Sequence, residues 1–159
     1  MGVKAIPDGY YSLTPYLVIK GAADAIEFYK KAFGAVEIVR MPGPGGGIMH
    51  AEVKIGNSML MLADENPERG HLSPASRGGN TSSVMLYTDD VDATFNNAVA
   101  AGAKANMPVA DQFWGDRYGQ VVDPDGHLWE IATHKEDLTP EETQQRAVAF
   151  MAQMAKQQK

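Results

Sequence analysis

The sequence predicts an α+β fold built from two consecutive βαβββ modules. Two stretches of the chain carry the same order of patterns, namely an apolar run, a helical segment and three further strand-like runs. Identical pairs recur at equivalent places and at one common spacing: Asp24-Ala25 matches Asp92-Ala93, and Gly34-Ala35 matches Gly102-Ala103. A repeat of this length is too long for a solenoid, so it indicates an internal duplication.

The first module is predicted to span residues 12–63. In its helical segment Ile26, Tyr29 and Phe33 recur at helical spacing, and Gly34 suits the C-terminal cap. From Met49 to Ile55 apolar residues alternate with polar ones, which predicts a strand with one buried face. The patterns predict a helix at 22–32 and strands at 14–19, 36–40, 48–55 and 58–63.

The second module is predicted to span residues 82–134, after a linker at 64–81 that is rich in Gly, Pro and Ser. Asp-Pro-Asp-Gly at 123–126 suits a type I turn between its last two strands. The patterns predict a helix at 89–101 and strands at 83–88, 103–108, 117–122 and 127–133. We expect the two modules to form a single domain over residues 1–135.

A helical extension is predicted over residues 136–159. Thr139 suits the N-cap and Glu142 the third helical position, which together make a capping box. An apolar stripe then follows at helical spacing, formed by Ala147, Phe150, Met151 and Met154. The stripe fits a helix that packs on its own domain and equally one that packs on a partner subunit.

The composition excludes several classes of protein. The chain has 159 residues, no cysteine and a formal net charge of −6. The lack of cysteine is compatible with the reducing cytoplasm, and an acidic chain without a Lys/Arg cluster is poorly suited to a nucleic-acid backbone. No apolar run reaches the ~18 residues of a membrane-spanning helix, and the N-terminus lacks the apolar segment of a signal peptide. We therefore expect a cytoplasmic protein that binds neither nucleic acid nor membrane.

The chain resembles the vicinal-oxygen-chelate superfamily, which includes glyoxalase I, bleomycin-resistance proteins and extradiol dioxygenases. The run DPDGHLWEI at 123–131 carries the resemblance most specifically, and the runs at 14–19, 25–35, 87–93 and 98–103 support it. The runs at 50–56 and 112–117 are similar to the PhnB-like, or 3-demethylubiquinone-methyltransferase-like, branch. The resemblance implies curved mixed sheets with a helix on the convex side, a pocket on the concave side, and a homodimer.

The resemblance also implies where a metal would be bound. Metalloenzymes of the superfamily take four ligands from the first and fourth strands of the two modules, and the matching positions here are Thr14, Met61, Ser83 and Glu130. Only Glu130 is a usual ligand for a hard or borderline divalent ion, which needs three or more such N/O donors. We therefore expect no metal and no other cofactor.

Strand periodicity predicts the lining of the concave pocket. If those four positions face the pocket, so does every second residue from them along the same strands. The expected lining therefore includes Tyr16, Met59, Met61, Ser83, Met85 and Tyr87. Such a lining, rich in Met and Tyr, suits a small hydrophobic or aromatic ligand, although the same methionines could instead fill a closed core. Trp114 and Arg117 either hold a planar or anionic ligand or anchor the closing hairpin.

Glu130 and His50 are the candidate catalytic residues. Glu130 would be a general base if the apolar pocket raised its pKa, or a structural carboxylate paired with Arg117 or bonded to a tyrosine. His50 and Glu52 share a strand face, where they could meet a ligand, join Glu130 in a displaced metal site, or lie on an exposed polar surface with Lys54.

Three functions fit these patterns. The first is a binding protein that holds a small hydrophobic or aromatic molecule without metal. The second is an isomerase or lyase that uses Glu130, and His50 with it, for acid/base chemistry. The third, a glyoxalase-like metalloenzyme, is disfavoured by Thr14, Met61 and Ser83.

Overall fold

The computed structural model describes residues 2–157, so Met1 and residues 158–159 of the predicted helical extension lie outside it. The strands are β1 (Tyr16–Ile19), β2 (Val36–Pro42), β3 (Ile48–Ile55), β4 (Ser58–Asp64), β5 (Ser83–Tyr87), β6 (Lys104–Asp111), β7 (Asp116–Val122) and β8 (Leu128–His134). The helices are α1 (Ala22–Phe33), α2 (Pro74–Arg77), α3 (Val91–Ala100) and α4 (Pro140–Gln157), with 3₁₀ turns at Pro44–Gly46 and Pro67–Arg69.

The strands form two mixed four-stranded sheets with the same topology. Their orders are β1-β4-β3-β2 and β5-β8-β7-β6. In each sheet the first strand pairs in parallel with the fourth, and the other pairs are antiparallel. The predicted α+β fold with two βαβββ units is therefore confirmed.

The two modules share one hydrophobic core on the helix-covered sides of their sheets. Leu17 and Leu62 of the first sheet and Trp129 and Ile131 of the second belong to one buried cluster. Trp129 packs against α1, with its ring 4.5 Å from that of Phe33 between centroids. Because α1 and α3 lie between the sheets, the opposite face of each sheet points outward; we call these two surfaces the open faces.

Asp123 links α1 to the second module. Its Oδ2 accepts hydrogen bonds from the Tyr29 hydroxyl at 2.9 Å and from Trp129 Nε1 at 3.0 Å. Its Oδ1 accepts from the backbone N–H groups of Asp125 and His127 at 3.0 and 2.9 Å. Burial, followed by the charge of Asp123, raises the pKa of Tyr29 well above its usual value. This buried carboxylate therefore holds the turn between β7 and β8 against α1.

Several elements differ from the sequence-based prediction. β6 runs from Lys104 to Asp111, longer than the predicted 103–108, because Pro108 lies in an edge strand, where a missing N–H is tolerated. β1 begins at Tyr16, after Thr14 and Pro15, rather than at residue 14. The predicted linker at 64–81 contains α2 and a 3₁₀ turn.

Two side chains lie elsewhere than predicted. Met49 is 60% exposed, whereas Ile48 is buried, because an irregularity in the β2–β3 pairing shifts the alternation at this end of β3. His127, which follows the turn glycine and would be exposed if that turn were free in solvent, is half-buried, and its Nε2 lies 3.0 Å from the backbone oxygen of Val18. The His127 ring thus adds a further link between the modules.

The predicted capping box begins α4. The Thr139 hydroxyl accepts from the N–H of Glu142 at 3.2 Å, and the Glu142 carboxylate accepts from the N–H of Thr139 at 2.8 Å. Within the described residues, no helix combines the length and apolar character that crossing a membrane requires. The apolar stripe of α4 is mostly exposed, and a ring contact joins its Phe150 to Phe113.

Candidate functional site

The open face of the first module carries a chain of hydrogen-bonded polar groups. Strand pairing aligns Tyr16, Met61 and Glu52 in one row across β1, β4 and β3. His50 Nε2 lies 3.0 Å from Glu52 Oε1, and its Nδ1 lies 3.2 Å from the Tyr16 hydroxyl. A neutral His50 ring in this position donates from Nε2 to the carboxylate and accepts at Nδ1 from Tyr16. The sequence-predicted His50, Glu52, Tyr16 and Met61 therefore lie together.

Tyr10, a residue that the strand pattern does not reveal, completes this chain. Its hydroxyl donates to Glu52 Oε2, opposite the oxygen that meets His50. The hydrogen bond from His50, followed by that from Tyr10, lowers the pKa of Glu52. The bond between Tyr10 and Glu52 also raises the pKa of Tyr10. Glu52 is thus held ionised, and it orients the imidazole of His50. Tyr10 lies before the first strand, where periodicity offers no signal.

Glu130 lies at the centre of the open face of the second module. Strand pairing aligns it between Met85 on β5 and Gln120 on β7. Its Oε1 accepts from the Ser83 hydroxyl at 2.5 Å, and its Oε2 accepts from the Tyr118 hydroxyl at 2.8 Å. Burial, with a smaller effect of the bond to Glu130, raises the pKa of Tyr118. Glu130 is therefore bonded to a tyrosine and not to Arg117, whereas its role as a general base stays a prediction.

A second carboxylate on this face accepts hydrogen bonds from aromatic side chains. The buried Asp116 accepts through Oδ2 from the Tyr87 hydroxyl at 3.0 Å and from Trp114 Nε1 at 3.1 Å. Its Oδ1 lies 2.7 Å from Nδ1 of His134. The rings of Trp114 and Tyr118 meet edge to face at 5.5 Å. Two hydrogen-bonded carboxylates thus lie beside three aromatic rings.

Arg117 lies away from this group, in contacts that fit the second of its two predicted roles, anchoring of the hairpin, and not ligand contact. Its guanidinium bonds Asp92 of α3 at 2.6 and 2.7 Å and Asp111 at 3.1 Å. The physical reason is strand alternation, because Tyr118 and Gln120 face Glu130 and the intervening odd-numbered residues face the helix. The turn at 123–126 fixes the register of this hairpin. The sequence could therefore have predicted that Tyr118 lies on the same face as Glu130. Arg117 anchors β7 to α3 and does not reach the open face.

A cleft of about 810 Å³ lies at the junction of the modules. Three residues predicted to line the pocket, Met59, Met85 and Tyr87, border this cleft, and so does Thr14. Met85 and Tyr87 lie on β5, which is the edge strand of the second sheet. They therefore belong to the second open face and also border the cleft beside that edge. The predicted single pocket is thus divided among two open faces and a junction cleft.

The residues present do not fit the superfamily's usual metal. The hydroxyls of Thr14 and Ser83 and the thioether of Met61 are not the N/O donors that Zn²⁺ or Ni²⁺ selects, and Glu130 already accepts two hydrogen bonds. Nor do His50, Glu52 and Glu130 form a displaced site, because across residues 2–157 no three His, Asp or Glu side chains are placed so that they could hold one metal ion. His50 and Glu130 lie on different open faces.

Comparison with known proteins places these features in a family. The family model of the Glyoxalase/Bleomycin resistance protein/Dioxygenase superfamily matches residues 13–131. The chain belongs to this superfamily. It is 43% identical over 136 residues to the uncharacterized protein Rv0887c of Mycobacterium tuberculosis, a match that covers 84% of this chain and 80% of that protein.

Solved structures of other proteins share the fold. The crystal structure of TioX from Micromonospora sp. ML1 is similar with a TM-score of 0.61 and 27% identity, over 81% of this chain and all of TioX. A Bacillus cereus protein described as PhnB protein has a TM-score of 0.60 at 18% identity, over 77% of this chain and 99% of that one. At that identity the second likeness concerns the fold alone.

Proposed function

We propose that this superfamily member is a cytoplasmic homodimer that binds a small aromatic or hydrophobic molecule on its open faces without the superfamily's usual metal. The grouping of Tyr87, Trp114 and Tyr118 around two hydrogen-bonded carboxylates carries the proposal. Aromatic rings give a ligand stacking surfaces, and a few fixed polar groups orient it. The lack of cysteine is in keeping with a reducing compartment.

The exposure of apolar side chains on the open faces supports a dimer in which a second copy of the chain covers them. On the open faces Tyr16 is 50% exposed, Met85 41% and Tyr87 60%. Exposed apolar patches of this kind mark interaction surfaces. Because the open faces point outward on different sides, they cannot close on one ligand within a single chain. In the proposed dimer, the first open face of one copy covers the second open face of the other.

The donor chemistry supports binding without metal. Three of the four superfamily positions carry hydroxyl or thioether groups, and Glu130 is bonded to Ser83 and Tyr118. A ligand would therefore be held by stacking and by hydrogen bonds to Glu130, Asp116 or Tyr118. With Arg117 paired to Asp92, a cationic or neutral ligand suits this face better than an anionic one.

An acid/base enzyme is the second candidate function, and the His50–Glu52 pair favours it. A carboxylate that fixes the tautomer of a histidine is a usual arrangement for a general base. In the proposed dimer, His50 of one copy would face Glu130 of the other across the ligand. This pairing would assemble the two candidate catalytic residues that one chain keeps apart.

A thermal-shift screen of aromatic amines, neutral aromatics and aromatic acids tests the proposal. We expect hits that raise the Tm of the wild type with EDTA present, and that lose most of this shift in Trp114→Ala and Glu130→Gln. Glu68→Gln, a charge change outside the open faces, is the matched control and should keep the shift. Recovery of the hit unchanged supports binding, whereas turnover that His50→Gln abolishes supports the enzyme. A shift that requires added Zn²⁺ or Ni²⁺ would contradict the proposal.

A further inference from the structure

The junction cleft differs from the open faces in its floor. Phe33 and Trp129 line it from the shared core, and Trp129 is almost fully buried. Met59 and Leu60 of β4 and Leu86 of β5 add further apolar wall. These residues belong to both modules, so the cleft exists within one chain. Its volume of about 810 Å³ lies within the usual range of small-molecule pockets.

The segment before β1 forms one side of the cleft, and its side chains there are exposed to solvent. Leu13 lines the cleft and is 90% exposed, and the neighbouring Tyr11 is exposed as well. Tyr10 is bonded to Glu52, so the segment is attached to the first sheet just before these residues. Covering the Leu13 side chain would remove apolar surface from water, which is favourable. A ligand in the cleft would supply such a cover.

The charges at the cleft indicate the class of ligand. Among the described residues that line it none is Lys, Arg or His, and Asp89 supplies a negative charge. An anionic ligand would therefore meet no counter-charge and one repelling carboxylate. Asn57 and Asn97 provide amide groups that can donate and accept hydrogen bonds at the rim.

We propose that the junction cleft is a second binding site, which takes an uncharged aromatic molecule with hydrogen-bonding groups along one edge. The rings of Phe33 and Trp129 face its apolar body, and the amides of Asn57 and Asn97 bind its polar edge. The site does not need a second copy of the chain, and it does not use Glu130, His50 or Trp114. It can therefore be present whether or not the open faces bind a ligand.

Two fluorescent probes with the same skeleton test this site: neutral N-phenyl-1-naphthylamine and anionic 8-anilinonaphthalene-1-sulfonate. We expect saturable binding of the neutral probe and binding of the sulfonate at least about ten-fold weaker, equivalent to ~1.4 kcal/mol. Asn97→Trp should weaken binding of the neutral probe about ten-fold or more, because the indole would fill the mouth. Leu13→Ala should weaken it a few-fold.

Matched variants locate the bound probe. Asn96→Trp makes the same change at the exposed neighbour on α3, which does not line the cleft, and should bind as the wild type does. Trp114→Ala should also leave binding unchanged, so failure of the open-face proposal would not imitate failure here. Equal affinity in Asn97→Trp and Asn96→Trp, loss of binding in Trp114→Ala, or tighter binding of the sulfonate would overturn the inference.

Discussion

Asp123 illustrates how one residue can hold two modules together. Its carboxylate receives four hydrogen bonds, two of them from side chains of the buried core. We expect Asp123→Ala to lower the free energy of unfolding by about 3 kcal/mol, because Tyr29 and Trp129 would keep buried donors without acceptors. Urea denaturation measures the loss, and Tyr29→Phe should cost only about 1 kcal/mol. A loss below 1 kcal/mol in Asp123→Ala would contradict this role.

His134 is the residue whose titration reports on the second open face. Its hydrogen bond with Asp116, followed by that with Asp137, raises its pKa. A raised folded-state pKa contributes stability below the unfolded-state value of about 6.5, and this contribution is lost as the pH rises through the folded-state pKa. An NMR titration should show the raised midpoint in the wild type and a lower one in Asp116→Asn. An unchanged midpoint in Asp116→Asn would contradict the claim that Asp116 raises the pKa of His134.

Glu37 provides a second titration, of opposite sign. Hydrogen bonds from Arg40, followed by those from Lys30 of α1, lower the pKa of Glu37 to about 2. Its stabilising effect is therefore present above the unfolded-state pKa of about 4.5 and is lost as the pH falls toward 2. We expect Glu37→Gln to lower stability by about 0.5–1 kcal/mol at pH 7, since this pair is partly solvated. The difference from the wild type should shrink below pH 4 in urea denaturation, and a difference independent of pH would contradict the assignment.

At the scale of elements, the sequence predicted those features that depend on local pattern. Alternation along β1 and β5 predicted that Tyr16 and Met85 lie on the face away from the core, and both are exposed there, whereas the neighbouring Leu17 and Leu86 pack on the helix side. It misplaced Met49 because a pairing irregularity is set by the neighbouring strand. The contacts of Tyr10 depend on a segment without regular structure, which periodicity does not describe.

The helix α4 provides the prediction at this scale. Its apolar residues Phe150, Met151 and Met154 stay largely exposed, and its described links to the domain include Phe150–Phe113 and Arg146–Glu136. We expect deletion of residues 140–159 to change the free energy of unfolding of the chain by less than about 1 kcal/mol, because few apolar contacts would be lost. Urea denaturation at low protein concentration measures it. A larger loss would mean that α4 packs against a surface that matters for stability.

At the scale of the whole molecule, the family resemblance predicted the fold of each module but not the way in which the modules pack. That packing depends on particular long-range contacts, such as Trp129 against Phe33 and Asp123 with Tyr29, which no local pattern reveals. It turns the open faces outward and separates His50 from Glu130. The site predicted as one pocket therefore needs a second copy of the chain if both residues are to meet one ligand.

The proposed homodimer is testable through the same surfaces. We expect light scattering after size exclusion to give the mass of two chains for the wild type. Met85→Lys should shift the equilibrium to single chains, because it places a charge on the covered open face. Val3→Lys, at a fully exposed apolar residue outside the open faces, should remain dimeric. A wild type that stays a single chain at high concentration would contradict the dimer.

Metal analysis tests the central claim, binding without the superfamily's usual metal, most directly. The purified protein would be incubated with Zn²⁺ or Ni²⁺, desalted and measured by mass spectrometry of the elements, beside Glu130→Ala treated in the same way. We expect far less than one metal ion per chain in both proteins, because Thr14, Met61 and Ser83 do not supply the required donors. One ion retained per wild-type chain and lost in Glu130→Ala would contradict the account.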